Sequence, residues 1–274
     1  MAIASYAAPF SVRFQRLLTY RAAAFAGFVA RCWWCSLKLM IFDAFYTSAP
    51  NASPALSLAQ TISYIWLAQA LFSLLPFCAD PEVTAAVRDG SVAYDRLRPV
   101  DTYTYWFARA AAWLLGRTAP QLVLVLPLSV VVLPAIGLGA WALAPPVSLV
   151  AFATMLLSLA LGVSVAAATM TLASAFVVRS GDDRGVNALM LTLAFVLTGS
   201  ELPLLLFPDW ARTFLLLQPF AGVFDTPLRI YCGALQGHAI VYALALQVFW
   251  VFALVVLGRR LLASALLHLE VQGG

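Results

Sequence analysis

The sequence contains little charge and almost no lysine. Only 10% of its 274 residues are charged, and Lys38 is the one lysine among the 16 basic residues. Soluble domains usually carry about 25% charged and about 45–50% apolar residues. Here 63% of the residues are hydrophobic, which excludes a chain whose surface is mainly exposed to water. The net charge of +4 is an arginine surplus, so the positions of the arginines carry the information.

Sequence patterns of nucleotide, redox and metal sites are also missing. A P-loop needs a glycine-rich turn that ends in Lys and Ser or Thr, whereas Lys38 follows Cys35 in an apolar segment. We therefore expect no ATP binding or hydrolysis by this chain, and no enzymatic activity. Cys32 and Cys35 have the spacing of a redox pair but lie within an apolar helix without a βαβ context. The two histidines, His238 and His268, are far apart, so the sequence predicts neither a metal site nor a cofactor.

The long apolar runs predict membrane-spanning helices. They are continuous rather than alternating, and helices satisfy their own backbone hydrogen bonds in hydrocarbon. Since each span needs about 20 residues, the sequence predicts an all-α membrane protein, a six-span transmembrane helical bundle forming one domain over residues 1–274. The predicted segments are an N-terminal interfacial helix at about 10–21, spans at about 23–45, 57–78, 118–140, 147–177, 186–200 and 239–257, a polar segment at 80–117 and an outer re-entrant segment at about 202–220.

The arginines are unevenly distributed between the two sides of this predicted bundle. Cytoplasmic loops of membrane proteins carry an excess of Lys and Arg. With the N-terminus inside, the outer segments hold only Arg212 and Arg229. Arg31 lies in the predicted first span. All other arginines lie in the inner segments: Arg13, Arg16, Arg21, Arg88, Arg96, Arg98, Arg109, Arg117, Arg179, Arg184, Arg259 and Arg260. The sequence therefore predicts a multi-pass protein with both termini in the cytoplasm.

The start of the polar segment, residues 82–101, combines alternating charges with apolar side chains. The apolar residues are Val83, Val87, Val92, Tyr94 and Leu97. Such a helix can bury an apolar edge while it offers ionic contacts to a soluble partner. The plainer alternative is a solvated connector between two spans.

Four motifs occur in a specific order along nearly the whole chain. They are the sequences Leu18-Thr-Tyr-Arg21, Val87-Arg-Asp-Gly-Ser-Val-Ala-Tyr-Asp-Arg-Leu-Arg-Pro-Val-Asp101, Gly199-Ser-Glu-Leu-Pro-Leu-Leu-Leu-Phe-Pro208 with Leu217-Gln-Pro-Phe220, and Val271-Gln-Gly-Gly274. In this set and order the sequence resembles the permease subunits of ATP-binding-cassette (ABC) exporters of the type-2 export class. The closest resemblance is to the bacterial six-span branch described as viologen-exporter-like.

The resemblance implies a location in the bacterial inner membrane and a specific set of partners. Two permease subunits, identical or related, would combine with two cytoplasmic ABC ATPase subunits, which would bind the ATP and Mg. In that class the helix between the second and third spans is a coupling helix that docks on the ATPase. Carried over to this sequence, Glu82 matches the acidic residue that opens this helix, and the closing motif matches Gly90, Leu97, Arg98 and Pro99. Arg88, Asp89 and Asp95 complete the predicted coupling residues, although Asp95-Arg96 departs from the more usual pairing.

Four of the charged residues that lie in or beside the predicted spans have alternative interpretations. Arg31 interrupts the first span, where a charge is costly unless it snorkels or pairs; it is predicted to line a substrate path or to face a partner subunit. Glu201 follows the fifth span, where it either gates the outer mouth or caps a hairpin. Asp182 and Asp183 are interpreted as a helix cap or a partner contact rather than a metal pair.

Two other function classes of helical membrane proteins are alternatives to an exporter. An ion-coupled secondary transporter is the alternative, because such proteins use broken helices and acidic groups near the midplane. Here the acids cluster in the predicted loops instead. An intramembrane enzyme would need paired acids, a histidine cluster or a Ser/Lys dyad at one depth, and the sequence shows none. Membrane lipid is an expected partner and nucleic acid is not.

Overall fold

The structure, a computed structural model, describes residues 2–48 and 55–267, without the side chains of residues 2–5, 96 and 97. All regular elements in these two ranges are helical, which confirms the predicted all-α membrane class. His268 and the predicted motif Val271–Gly274 lie outside the described residues, as does most of the first polar turn. The predicted coupling residue Leu97 is described for its backbone only.

The helices follow one another along the chain with short connections. In chain order they are α1 (Ala2–Leu18), α2 (Arg21–Ser48), α3 (Leu58–Leu71), α4 (Pro81–Arg88), α5 (Thr102–Pro127), α6 (Leu133–Ala135), α7 (Leu149–Ser180), α8 (Arg184–Leu197), α9 (Asp209–Leu217), α10 (Pro219–Val223), α11 (Asp225–Tyr231) and α12 (His238–Leu267). A π-helical turn, Leu128–Val132, joins α5 to α6 in one continuous stretch.

Four helical stretches of the described chain are long and apolar enough to cross a membrane: Arg21–Ser48, Thr102–Ala135, Leu149–Ser180 and His238–Leu267. Two shorter apolar helices accompany them. These are α3 with its following 3₁₀ turn, Leu58–Leu74, and α8. The predicted second and fifth spans fall on these two shorter helices.

The centre of the bundle is α3. It begins with a capping box in which Ser57 and Gln60 satisfy each other's backbone N–H groups. All residues from Thr61 to Leu71 are buried, because α2, α5 and α11 pack around the helix. By contrast α2 buries only Cys35 and Leu39, so most of its surface faces outward from this chain.

The helix of the predicted third span begins earlier than the sequence predicts. The prediction places the span at 118–140 after a polar segment at 80–117, whereas the helix begins at Thr102. Asp101 caps it by accepting a hydrogen bond from the Thr104 N–H at 2.9 Å. Arg109 and Arg117 do not end the helix, because Arg109 pairs with Glu82 and the Arg117 guanidinium lies over the Trp113 ring at 4.2 Å. The polar connector between α3 and α5 is therefore residues 80–101.

The first helix also differs from its prediction. The sequence predicts an interfacial helix at about 10–21, and the structure has α1 over Ala2–Leu18. This helix packs along α5 at Gly116, where an added Cβ would lie 2.9 Å from Leu17 Cδ1. Arg13 is buried against the bundle, since its side chain is only 6% exposed.

The broken segment after α8 folds back onto α7. The predicted re-entrant segment, about 202–220, contains a 3₁₀ turn at Leu204–Leu206, helix α9 and the start of α10. Gly162 of α7 allows this close approach, because an added Cβ would lie 2.8 Å from the Gly222 carbonyl oxygen. We call residues 198–237 the hairpin end of the bundle and residues 80–101 the connector.

Candidate functional site

The connector consists of α4 and a 3₁₀ segment, Ser91–Leu97, which meet at Gly90. The Asp80 carboxylate caps α4 by accepting the Glu82 N–H at 2.9 Å, and Pro81 occupies the first helical position. Gly90 has φ +76°, a left-handed conformation that glycine adopts without strain. The local sequence thus specifies a short helix, a sharp turn and a second short helix.

A buried ion pair attaches the connector to α1. Arg13 Nη1 and Nη2 donate to the two carboxylate oxygens of Asp80 at 2.5 and 2.7 Å, and the side chains are 6% and 2% exposed. Arg13 Nη1 also donates to the Arg109 carbonyl oxygen at 3.0 Å. The Asp80 N–H donates to Ser174 Oγ at 2.9 Å. Arg13 and Asp80 together therefore join α1, the connector, α5 and α7.

The electrostatics of Asp80 favour its charged form. Burial opposes ionisation of this carboxyl, but the hydrogen bonds and charge of Arg13, together with the charge of Arg109, outweigh it. The pKa of Asp80 consequently lies below its ordinary value. The pair is thus an ion pair at neutral pH, and its bidentate geometry is the stronger form of an arginine–carboxylate contact.

Glu82 extends this attachment. Arg109 Nη2 donates to Glu82 Oε2, while Arg16 Nη2 and Arg13 Nε lie 3.4 and 3.6 Å from Glu82 Oε1. The Glu82 side chain is 36% exposed. The structure therefore places this predicted coupling residue in a network within the chain, at the base of the connector rather than at its tip.

The tip of the connector is exposed. Tyr94 is 69% exposed, although a large aromatic side chain gains free energy from burial. Arg98 is 52% exposed. The other predicted coupling residues that the structure exposes are Arg88, Asp89, Gly90 and Pro99. These residues form a charged and aromatic surface around the turn at Gly90.

Asp95 differs from its exposed neighbours because it faces the bundle. Its side chain is 12% exposed and accepts hydrogen bonds from Trp106 Nε1 and from Arg98 Nε, both at 2.9 Å. The Arg98 guanidinium lies 4.9 Å from the Tyr105 ring centroid. Asp95 thus fixes the 3₁₀ segment to α5 and holds Arg98 in place.

A further ion pair connects α4 to α8. Arg88 Nη2 donates to Asp183 Oδ1 at 2.7 Å, and Asn187 Nδ2 donates to Asp183 Oδ2 at 2.9 Å. Asn187 Oδ1 accepts the Ala79 N–H at 2.9 Å. Asp183 stands at the start of α8 without capping it through its side chain. Asp183 therefore does not form the predicted cap, and its side chain pairs with Arg88 within the chain; Asp182 Oδ1 accepts the Arg184 N–H at 3.1 Å at the start of the helix.

Two cavities meet at Arg31. The first, of about 370 Å³, is lined by α1, α2 and α5 residues including Tyr20, Gly27, Arg31, Trp113, Arg117 and Gln121. We call it the Arg31 cavity. The second, of about 420 Å³, lies between α2, α3 and α8 and includes Arg31, Trp34, Lys38, Phe72, Phe195 and Glu201. We call it the Glu201 cavity.

The structure therefore brings the two predicted path residues, Arg31 and Glu201, to one cavity. Arg31 Nε donates to Gln121 Oε1 at 3.2 Å and Arg31 Nη2 donates to Ser73 Oγ at 2.8 Å. Glu201 pairs with Lys38, whose Nζ lies 3.0 Å from Glu201 Oε2 and also donates to the Ser200 carbonyl oxygen at 2.9 Å.

Sequence reasoning missed Arg13, Arg16 and Arg109 as parts of the connector site. A signal exists in the spacing, since Arg13 and Arg16 share one face of α1 and offer charges opposite to those of Asp80 and Glu82. The pairing itself is long-range and depends on how α1 packs on α5. Within residues 2–48 and 55–267, no group of three His, Cys, Asp or Glu side chains is placed to hold a metal ion.

Comparison with known proteins identifies a family for this chain. A family model described as ABC-2 family transporter protein matches residues 34–273, which include the connector and the hairpin end. Neither the curated proteins nor the solved structures contain a match to this sequence. Because the family model covers most of the chain, the protein belongs to the ABC-2 family of transporter proteins and is a membrane-embedded permease component of a transporter.

Proposed function

We propose that the chain is the permease subunit of an ABC exporter and that the tip of its connector docks on a separate cytoplasmic ATPase subunit. The observation that carries the proposal is the contrast within the connector. Its base is held by the buried Arg13–Asp80 pair, while its tip exposes Tyr94 and Arg98. A segment that is rigid at its base and exposed at its tip suits the transmission of force from a soluble partner.

The same contacts suggest how ATP binding would reach the membrane. A displacement of the tip would act on α1 and α5 through the ion pairs of Asp80 and Glu82, and on α8 through Arg88 and Asp183. ATP would favour one arrangement of two permease copies, or of this chain and a sister permease, by binding that arrangement more tightly. Transport out of the cytoplasm, with both termini inside, is part of this proposal.

The test is the transport and ATPase activity of the reconstituted transporter. The permease and an ATPase that copurifies with it are placed in liposomes, and Arg98→Glu and Tyr94→Ala are compared with the unmodified chain. Tyr94 is 69% exposed, so we expect a folded Tyr94→Ala protein with ATPase stimulation and transport reduced at least about tenfold, the effect of losing about 1.4 kcal/mol of docking energy. Arg98→Glu also breaks the pair with Asp95, so its loss of activity supports docking only where Tyr94→Ala shows the same loss.

Trp210→Ala is the matched control, because Trp210 is an 86% exposed aromatic residue at the hairpin end. It is expected to retain stimulation of the ATPase. Full activity in both tip variants would contradict the docking role. Transport by the isolated chain in ATP-free liposomes under an ion gradient would instead support the secondary transporter.

A further inference from the structure

The Arg31 cavity contains two arginines without a carboxylate partner. Arg31 and Arg117 both line it, and among the described residues around it none is acidic. Within the described ranges, neither guanidinium forms an ion pair. Arg31 has only the neutral Gln121 and Ser73 as hydrogen-bond partners, and Arg117 is stacked on Trp113.

The two positive charges lie in the lining of one cavity. Both side chains are partly buried, so their repulsion is screened less than it would be in water. Like charges at one site oppose each other, and desolvation of each cation adds to that cost. The nearby acids do not relieve this repulsion, since Glu201 pairs with Lys38 and Asp80 pairs with Arg13. An anion between the arginines would stabilise both.

The lining of the two cavities also indicates the chemistry of the rest of such an anion. Arginine forks bind carboxylate and phosphate oxygens in a bidentate way. The adjoining Glu201 cavity is mainly apolar and contains the aromatic side chains of Trp34, Phe72 and Phe195. Arg31 stands between the two cavities and its guanidinium lies 4.8 Å from the Phe72 ring centroid. Volumes of about 370 and 420 Å³ are in the range of small-molecule sites.

We propose that Arg31 and Arg117 form a binding site for the phosphate or carboxylate group of an anionic amphiphile, whose apolar part lies against the aromatic side chains of the Glu201 cavity. The further step, that this amphiphile is the transported cargo, rests on the proposed transport function. Binding of the amphiphile is independent of that function, because both cavities are formed within this single chain.

The test is binding of dodecyl phosphate to the purified full-length chain in a neutral maltoside detergent, without any ATPase. Trp34 and Trp113 line the cavities, so intrinsic fluorescence reports occupation. Dodecyl trimethylammonium is the control ligand, with the same alkyl chain and the opposite charge. We expect dodecyl phosphate to bind at least about tenfold more tightly than this cation, the difference of one charge-assisted contact.

The variants separate the site from general charge effects. Arg117→Gln is expected to weaken dodecyl phosphate binding about tenfold, and Arg31→Gln with Arg117→Gln to abolish the preference for the anion. Arg260→Gln, which removes one exposed charge, is the matched control and is expected to bind like the unmodified chain. Equal binding of the two detergents, or an equal loss in Arg260→Gln, overturns the proposal. Arg117→Gln alone decides the question if the double variant does not fold.

Two further measurements show whether the bound anion is inorganic phosphate, a membrane lipid or a free amphiphile. Inorganic phosphate that binds as tightly as dodecyl phosphate would overturn the apolar part of the proposal. In nanodiscs, phosphatidate and phosphatidylcholine are tested as competitors of dodecyl phosphate. Competition by phosphatidate alone supports the site and identifies a membrane lipid as its occupant. Dodecyl phosphate binding that phosphatidate does not affect supports a free amphiphile. If the unmodified chain does not bind dodecyl phosphate but couples to the ATPase, the anion site alone is wrong. If it binds dodecyl phosphate but does not couple to the ATPase, the coupling role alone is wrong.

Discussion

The connector and the hairpin end each contain a buried aspartate paired with an arginine, but the two pairs are built differently. Arg13 and Asp80 are 67 positions apart in sequence and join separate helices. Asp225 and Arg229 are four positions apart on α11, with an Asp225 side chain that is 0% exposed. Asp225 also accepts hydrogen bonds from Tyr64 Oη at 3.0 Å and from the Leu204 N–H at 3.2 Å.

The comparison shows that similar chemistry has two structural effects. The local pair at the hairpin end stabilises a short helix and pins it to α3 through Tyr64. The long-range pair at the connector makes the position of one helix depend on that of another. Since α3 runs from the hairpin end toward Asp80 and is buried from Thr61 to Leu71, it physically links the two ends. The following predictions test how far the two ends differ.

The largest expected effect is that of Asp80→Ala. It leaves Arg13 buried without its partner, and removal of one member of a buried ion pair costs about 3 to 5 kcal/mol. We expect this loss in the free energy of unfolding, measured by denaturant titration in mixed micelles. Asp209→Ala is the control, because Asp209 also pairs with an arginine, Arg212, but its side chain is 90% exposed. Equal stability of the two variants would contradict the role assigned to Asp80.

Acidification is expected to weaken the connector. The pKa of Asp80 is lowered in the folded protein, so the pair contributes stability above the ordinary aspartate pKa of about 3.9. That contribution is lost as the pH falls through the lower folded-state pKa. Thermal unfolding between neutral and acidic pH should therefore show a steeper fall in Tm for the unmodified chain than for Asp80→Asn. Parallel curves would show that Asp80 does not account for the acid sensitivity.

Gly162→Ala is expected to disturb the hairpin end without affecting the connector. The new Cβ would lie 2.8 Å from the Gly222 carbonyl oxygen, which is backbone and does not move freely. Overpacking of this kind costs about 1 to 3 kcal/mol. Gly185→Ala on α8 is the control, since an added Cβ there meets nothing within 4 Å. The measurement is Tm by intrinsic fluorescence, and a Gly162→Ala protein as stable as Gly185→Ala would contradict the close packing.

Tyr64→Phe tests the link between α3 and the hairpin end. It removes the hydroxyl whose single proton is shared between Asp225 Oδ1 at 3.0 Å and the Gly199 carbonyl oxygen at 3.1 Å. The expected cost is about 1 to 3 kcal/mol, because Asp225 is left with fewer donors in a buried position. Amide hydrogen exchange at residues 199–231 should rise more than at residues 80–101. A uniform rise would show that the two ends are not separable.

Arg88→Gln should have the smallest effect on stability. Arg88 is 65% exposed, and solvent screens its pairing with Asp183. We expect an unchanged Tm but weaker coupling of ATP hydrolysis to transport, because this pair connects α4 to α8. A lower Tm with intact coupling would reverse this assignment.

The features of the fold that depend on short stretches of sequence were predictable. Continuous apolar runs identify the helices, and Pro81 after Asp80 identifies the start of α4. The early start of α5 at Thr102 was not predictable in the same way, because the charge of Arg109 within the helix is paired with Glu82, which is 27 positions away in sequence. The Arg13–Asp80 pair and the shared cavity of Arg31 and Glu201 depend on helix packing, which local sequence patterns do not encode.

Site-specific photo-cross-linking tests the central claim most directly. A photoreactive amino acid replaces Tyr94 at the connector tip or Trp210 at the hairpin end, and the assembled transporter is irradiated in membranes. The account predicts a covalent product with the ATPase from position 94 and none from position 210. Cross-linking of the ATPase from position 210, or labelling of position 94 from outside the cell, would contradict it.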